Sequence, residues 1–236
     1  MLDHIYFDLD LTTQKPKIQD AVAEIFAEGC KGLKQLLLYL WRNGIHTTSC
    51  CKGHTRIFEG KREKVNGCIG IITKSLTKKQ LKDFIAKLYL LNTTNNAHFG
   101  MQQGMGFYRY KEYKKDINKS FGISIYKQTD FVALLELFKS VIESEKLTDY
   151  CKRLNVTTKL NADIKHFIEI FVKIQDVDYD KFISKNPKIE SVDIILACNK
   201  NNQLFNNVYY NNGKNLLTKD EFDYEAMLLQ IDKLKE

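Results

Sequence analysis

Hydrophobic positions along the chain switch between a period of two and a period of three to four, and the switches divide it into elements. Over Met1–Leu11, residues Ile5, Phe7, Leu9 and Leu11 alternate with Tyr6, Asp8 and Asp10, which predicts a strand. From Ile18 to Asn43 the pattern is helical, but Gly29 and Gly32 weaken its middle, so two helices are expected with a break at Glu28–Lys31. The second carries one apolar stripe, Leu33, Leu36, Leu37, Leu40 and Trp41. Asn43-Gly44 should end it, with glycine taking the left-handed position and Ile45 folding back onto the last turn. A short β-branched run (Ile45, Thr47, Thr48) then predicts a strand, and Ser49, Cys50, Cys51, Gly53 and His54 predict the loop that follows it.

Arg56–Asn66 is charged and reads as an exposed loop, after which Gly67–Thr73 returns as a strand, giving a hairpin with a long basic tip. Thr77 is a helix N-cap ahead of Leu81, Phe84, Ile85 and Leu88, and Ala97–Gln128 predicts two or three strands, including Phe121–Tyr126. Beyond Thr129 the pattern is helical. Val132, Leu135, Phe138, Val141 and Ile142 make one face; Ile164, Phe167, Ile168, Phe171 and Ile174 make another behind Asn161 as cap. Val192–Ala197 fits a buried strand or a helix equally, and a capping box at Thr218 and Glu221 opens a last helix. The expected fold class is α+β: a mixed or antiparallel sheet with helices in the N-terminal half and a mostly helical C-terminal half. A soft boundary near Gln128 separates a loop-centred α+β domain with a basic face (1–128) from a mainly helical one (129–236), unless the two form one continuous domain.

Composition narrows the class. With 236 residues, ordinary apolar content and two prolines, the chain can bury a core without disulfides or metal. No apolar run reaches the roughly 20 residues that span a bilayer, and the N-terminus carries acids where a signal peptide carries basic residues. A soluble, cytoplasmic protein of a bacterial or phage-infected cell is expected, with no membrane partner and its six cysteines as thiols. The net charge of +7 is uneven: Cys50–Asp130 holds sixteen Lys/Arg against six Asp/Glu, which leaves the remainder of the chain at −3. That region is the electropositive one, and a phosphate-bearing partner follows from it.

The loop concentrates the chemistry. His46, Cys50, Cys51 and His54 are four potential metal ligands in nine residues, but adjacent cysteines on a strand end point in opposite directions, so no metal is expected, and no cofactor either. Cys50 or Cys51 as thiolate with His54 or His46 as base is a second possibility, with Lys52 and Arg56 at hand to favour the thiolate. Phosphate or nucleotide binding fits best: Ser49 and Gly53 leave backbone N–H groups accessible, and Lys52, His54 and Arg56 supply cationic donors. No Walker or dinucleotide-type glycine pattern is present. Downstream, Tyr108, Arg109, Tyr110, Lys111 and Lys114 interleave stacking rings with phosphate-seeking charges, as a surface for single-stranded bases would.

The segment HTTSCCKGHTRIF resembles the Thr-Ser-Ser-Cys-Ser-Gly-Arg segment of the wybutosine-synthesis tRNA methyltransferases, which use S-adenosylmethionine. It is also similar to the Ser-Cys-Cys-Gly-His loop of small phage and bacterial proteins of unassigned function. The resemblance spans residues 33–73 and implies a fold fragment with a ligand-facing loop of Ser49, Cys51, Gly53 and His54; His54 replaces the methyltransferase arginine, and Lys52 is inserted. The favoured reading is a nucleic-acid- or nucleotide-binding protein, with RNA or a nucleotide as ligand. Two others stand beside it. One is a phage or mobile-element inhibitor that binds a host nuclease, defence complex or other ribonucleoprotein; the second is a tRNA-modifying or nucleotide-processing enzyme.

Overall fold

The computed structural model describes residues 10–94, 96–108, 120–176, 191–211 and 215–216. Leu11–Thr13 is a 3-10 turn rather than the end of a strand, because the Asp10 carboxylate accepts the Thr12 N–H and caps it; the rest of the expected first strand lies outside the described residues. Two helices follow, α1 (Pro16–Ala27) and α2 (Lys31–Arg42), with Pro16 in the first turn of α1. They are separated where Glu28 and Gly29 take positive φ, as the glycine signal predicts.

The sheet has seven strands among the described residues: β1 (Thr47–Cys51), β4 (Gly67–Ile72), β5 (Phe99–Tyr108), β6 (Ser120–Ile125), β7 (Ser191–Cys198), β8 (Leu204–Asn211) and β9 (Asn215–Leu216). Their order is β1-β4-β6-β5-β7-β8-β9, and every pairing is antiparallel. The open Val192–Ala197 alternative resolves as strand β7, at the sheet's interior between β5 and β8. The remaining strands, β2 (His54–Phe58) and β3 (Lys61–Val65), form a separate two-stranded hairpin.

That hairpin corrects the expectation of an unstructured basic loop. Glu59 and Gly60 both have positive φ, 48° and 75°, the combination that a two-residue turn needs to match the twist of the flanking strands. The flanking charges are no obstacle, since Arg56 faces Glu63 across the pair and most of both strands is exposed.

Strand alternation makes the main sheet two-faced. Cys50, Ile69, Ile123, Met101 and Cys198 lie in one cross-strand row and are all buried. The next row, Cys51, Cys68, Ser124 and Gly100, carries small side chains on the opposite face. Helices cover the first face: Phe84 of α3 (Lys78–Asn92) and Phe171 of α6 (Ala162–Ile174) stand 5.6 and 5.9 Å, ring centre to ring centre, from Phe121 of β6. Capping fixes where these helices start, through the Thr77–Gln80 box on α3 and Asn161, which accepts the Ile164 N–H at 2.9 Å. The sequence on either side of Gln128 joins this one sheet, and α4 (Asp130–Ile142) packs against α2. The buried apolar residues of α4 are Phe131, Leu134, Leu135, Leu137, Phe138 and Val141, whereas Val132, expected inside, is 49% exposed. α5 (Leu147–Leu154) is an eight-residue helix that the hydrophobic pattern does not announce.

Inside the helical layer one charge is sealed. The Lys87 side chain is 0% exposed; its ammonium pairs with Asp83 at 2.7 Å, donates to the carbonyls of Ser140 (3.0 Å) and Glu145 (2.7 Å), and faces the Tyr150 ring at 5.4 Å. It thereby joins α3 to the end of α4 and to α5. Burial lifts the Asp83 carboxyl above the usual carboxylate range, outweighing the opposite pull of Lys87. Removing the ammonium strands a carboxylate and two carbonyls, so Lys87→Ala is expected to cost about 3 to 5 kcal/mol in urea denaturation. Lys139→Ala, which breaks an exposed pair with Glu136, should cost about 0 to 1 kcal/mol.

Candidate functional site

The geometry of the site starts at the end of α2. Gly44 has φ +73°, its N–H donates to Trp41, and the Ile45 N–H donates to the Leu40 carbonyl at 2.9 Å, the paired bonds of a glycine-terminated helix. Trp41 Nε1 then donates to Thr47 Oγ1 at 3.0 Å, which aims the chain into β1. A β-bulge lies between Thr47 and Ser49, where the hydroxyls of Thr48 and Ser49 crowd over the bare Cα of Gly70.

Strand β1 continues through Ser49, Cys50 and Cys51, which the sequence places in a loop. Pairing with β4 supplies the ladder bonds that keep those small residues extended, so the turn shrinks to Lys52–Gly53. Gly53 has φ +84°, and a Cβ there would stand 2.8 Å from the Gly67 nitrogen and 3.1 Å from the Val65 carbonyl oxygen. Only glycine fits where the hairpin leaves the sheet.

A cleft of about 440 Å³ opens at this root, between residues 52–55 and 64–67 on one side and residues 125–128 at the end of β6 on the other. Its lining holds Lys52, His54, Lys64 and Lys127 and no carboxylate. Lys64 Nζ donates to the Tyr126 carbonyl at 3.4 Å, and Lys200, outside the lining, holds its ammonium 5.2 Å from the centre of the Tyr126 ring. Lys52 is partly compensated, since its ammonium lies 3.0 Å from the Glu28 carboxylate and donates to the Glu28 carbonyl at 3.1 Å. Asn66 and Gln128 contribute neutral polar groups. The cations around this concavity make its local potential positive.

Of the residues singled out from sequence, Lys52, Gly53 and His54 line this cleft. Ser49 lies three residues before Lys52, on β1, and Arg56 on the hairpin is neutralised by Glu63 at 3.2 Å and stacked over Phe58 at 5.3 Å; neither is part of the lining. The Tyr108 backbone ends β5 opposite Ser191, whereas Arg109, Tyr110, Lys111 and Lys114 lie outside the described residues. Sequence reasoning missed Lys64, Tyr126 and Lys127. Lys64 is placed by the β2–β3 pairing, opposite Thr55, and Tyr126 and Lys127 reach the cleft through the β4–β6 pairing; for the two lysines the one signal was the excess of basic residues between Cys50 and Asp130.

The two histidines have separate roles. His46 is tied to Asp10 (3.3 Å) and Thr12 (3.3 Å), while His54 Nδ1 lies 3.5 Å from Cys51 Sγ, which also accepts the Gly53 N–H at 3.3 Å. Burial pushes the Cys50 thiol up to about 12 and the Cys68 thiol up to about 11, with neighbouring cysteines adding to both. Among the described residues no three His, Cys, Asp or Glu side chains converge as a metal site, and no helix is long and apolar enough to cross a membrane. No protein-family model, curated protein or solved structure matches the chain.

The close approach at Gly53 can be tested against the hairpin tip. Gly60→Ala meets open space at φ +75° and should cost about 1 kcal/mol for its left-handed backbone. Gly53→Ala adds a clash with backbone and is expected to cost about 2 to 4 kcal/mol in urea denaturation.

Proposed function

We propose that the chain is a nucleic-acid- or nucleotide-binding protein whose phosphate site is the cleft at the root of the β2–β3 hairpin. The observation that supports this reading is the lining itself: three lysines and a histidine in a concave site of nucleotide size, with no carboxylate among them. Cross-strand pairing on the hairpin extends the same charge. One face pairs Arg56 with Glu63, but the other pairs Thr55 with Lys64 and Ile57 with Arg62 and carries no acid. The ligand phosphates meet Lys64 and Lys127 first, because Lys52 is already shared with Glu28.

A second reading, an inhibitor that occupies a host nuclease or defence complex, draws on the hairpin tip. Ile57 is 79% and Phe58 51% exposed, more apolar surface than a simple phosphate arm needs.

Fluorescence anisotropy with short labelled RNA and DNA strands, each at two salt concentrations, tests the first reading. Binding should weaken with salt, and Lys64→Ala and Lys127→Ala should each lower affinity uniformly across sequences and reduce the salt slope by about one. Arg56→Ala, already paired within the hairpin, should change the slope less. Absence of salt-sensitive binding, or equal slopes for all three variants, would sink the phosphate site. A stable complex with a host protein, insensitive to Lys64 and Lys127, would favour the second reading.

A further inference from the structure

The sheet face turned away from the helices carries two thiols in register. Cys51 on β1 and Cys68 on β4 are directly opposed. Opposed residues of an antiparallel pair share a face with their Cα atoms about 4.5 to 5.5 Å apart, inside the roughly 4.4 to 6.8 Å that a disulfide spans. The pair one step back, Cys50 and Ile69, is also opposed and is buried in the core. The pleat therefore sends Cys51 and Cys68 to the other side, where both are half-buried rather than sealed. Cys30, Cys151 and Cys198 sit on other elements, before α2, in α5 and in β7.

The two sulfurs are not equivalent. Cys51 Sγ has the Gly53 N–H at 3.3 Å and the His54 imidazole at 3.5 Å, two groups that favour negative charge on sulfur or accept its proton. Cys68 shows no such donor among the described residues, and burial keeps its thiol protonated.

We propose that Cys51 and Cys68 are a reversible redox pair, in which Cys51 attacks a low-molecular-weight disulfide and Cys68 resolves the adduct. Cys51 gives its proton to His54 Nδ1, and the thiolate bonds to one sulfur of the small disulfide while the other sulfur leaves and is protonated. The Cys68 sulfur, losing its proton to solvent, then attacks Cys51 Sγ. The Cys51–Cys68 bond forms and the second small thiol departs. Two protein thiols are oxidised and one small disulfide is reduced to two thiols, so atoms and electrons balance.

The bridge has a direct effect on the neighbouring turn. It ties up the Cys51 sulfur that contacts the Gly53 N–H and the His54 ring, both of which line the cleft, and it locks the end of β1 to β4 beside the hairpin root. This inference goes beyond phosphate binding and does not rest on it.

The full chain incubated under native conditions with glutathione disulfide, then acid-quenched and analysed by intact mass and peptide mapping, provides the test. A single Cys51–Cys68 bridge is expected. Cys68→Ser should stop at a glutathione adduct on Cys51, whereas Cys51→Ser should yield neither a bridge nor an adduct at Cys68 over the same period. His54→Ala should slow formation of the Cys51 adduct by about tenfold or more. A bridge that uses Cys50 or another cysteine, a first adduct at Cys68, or no adduct at Cys51 would overturn the pair. An unchanged rate in a folded His54→Ala chain would remove the imidazole from it. Both Cys→Ser changes are nearly isosteric, so the pairing result stands even if the His54 variant does not fold.

Discussion

The register of β1 against β4 decides what every residue of the site faces, because side chains on a strand alternate and a slip of one position would exchange the two faces. Three contacts fix it from different directions. The helix-ending bonds at Gly44 and Ile45 set where the chain leaves α2, the Trp41–Thr47 hydrogen bond sets where β1 begins, and Cys50 opposite Ile69 closes the core. The bulge at Thr48, over the bare Gly70, absorbs the mismatch between that entry and the ladder beyond it. With Cys50 committed inward, Cys51 has no choice of side, and His54 follows it across a two-residue turn.

The cleft depends on a second constraint, the order of the sheet. β4 lies between β1 and β6, so the end of β6 runs past the point where the hairpin departs and brings Tyr126 and Lys127 to the far wall. Without that neighbour the turn would be a basic surface feature. With it, cations distant in sequence enclose one volume, where their fields add and water is partly excluded. The absence of a lining carboxylate matters more than the number of lysines, since Arg56 shows how a nearby acid neutralises a cation within the same hairpin.

Strong local signals were legible in the sequence. The glycine break between α1 and α2, the left-handed end of α2, the Thr77 cap and the Asn161 cap all lie where residue type and spacing place them. What failed were stretches whose conformation is set by distant partners. Ser49, Cys50 and Cys51 look like turn residues and become strand because β4 is beside them, and the charged Arg56–Asn66 run orders because the Glu59–Gly60 turn folds its two halves into a ladder. α5 is largely polar and reaches the core mainly through Tyr150 and Cys151, too few positions for a periodic pattern. In the site, Lys52, Gly53 and His54 were readable because they are contiguous; Lys64 and Lys127 were not, because only the sheet joins them.

The hairpin carries a consequence of scale. Five residues per strand place its Glu59–Gly60 tip about 16 Å from the root, at roughly 3.3 Å per residue. Close backbone approach at Gly53 and Gly67 sets the direction in which the arm leaves the sheet. A molecule small enough to sit between Lys64 and Lys127 leaves Ile57 untouched in solvent; simultaneous engagement of both ends demands an elongated guest whose contour follows the ribbon.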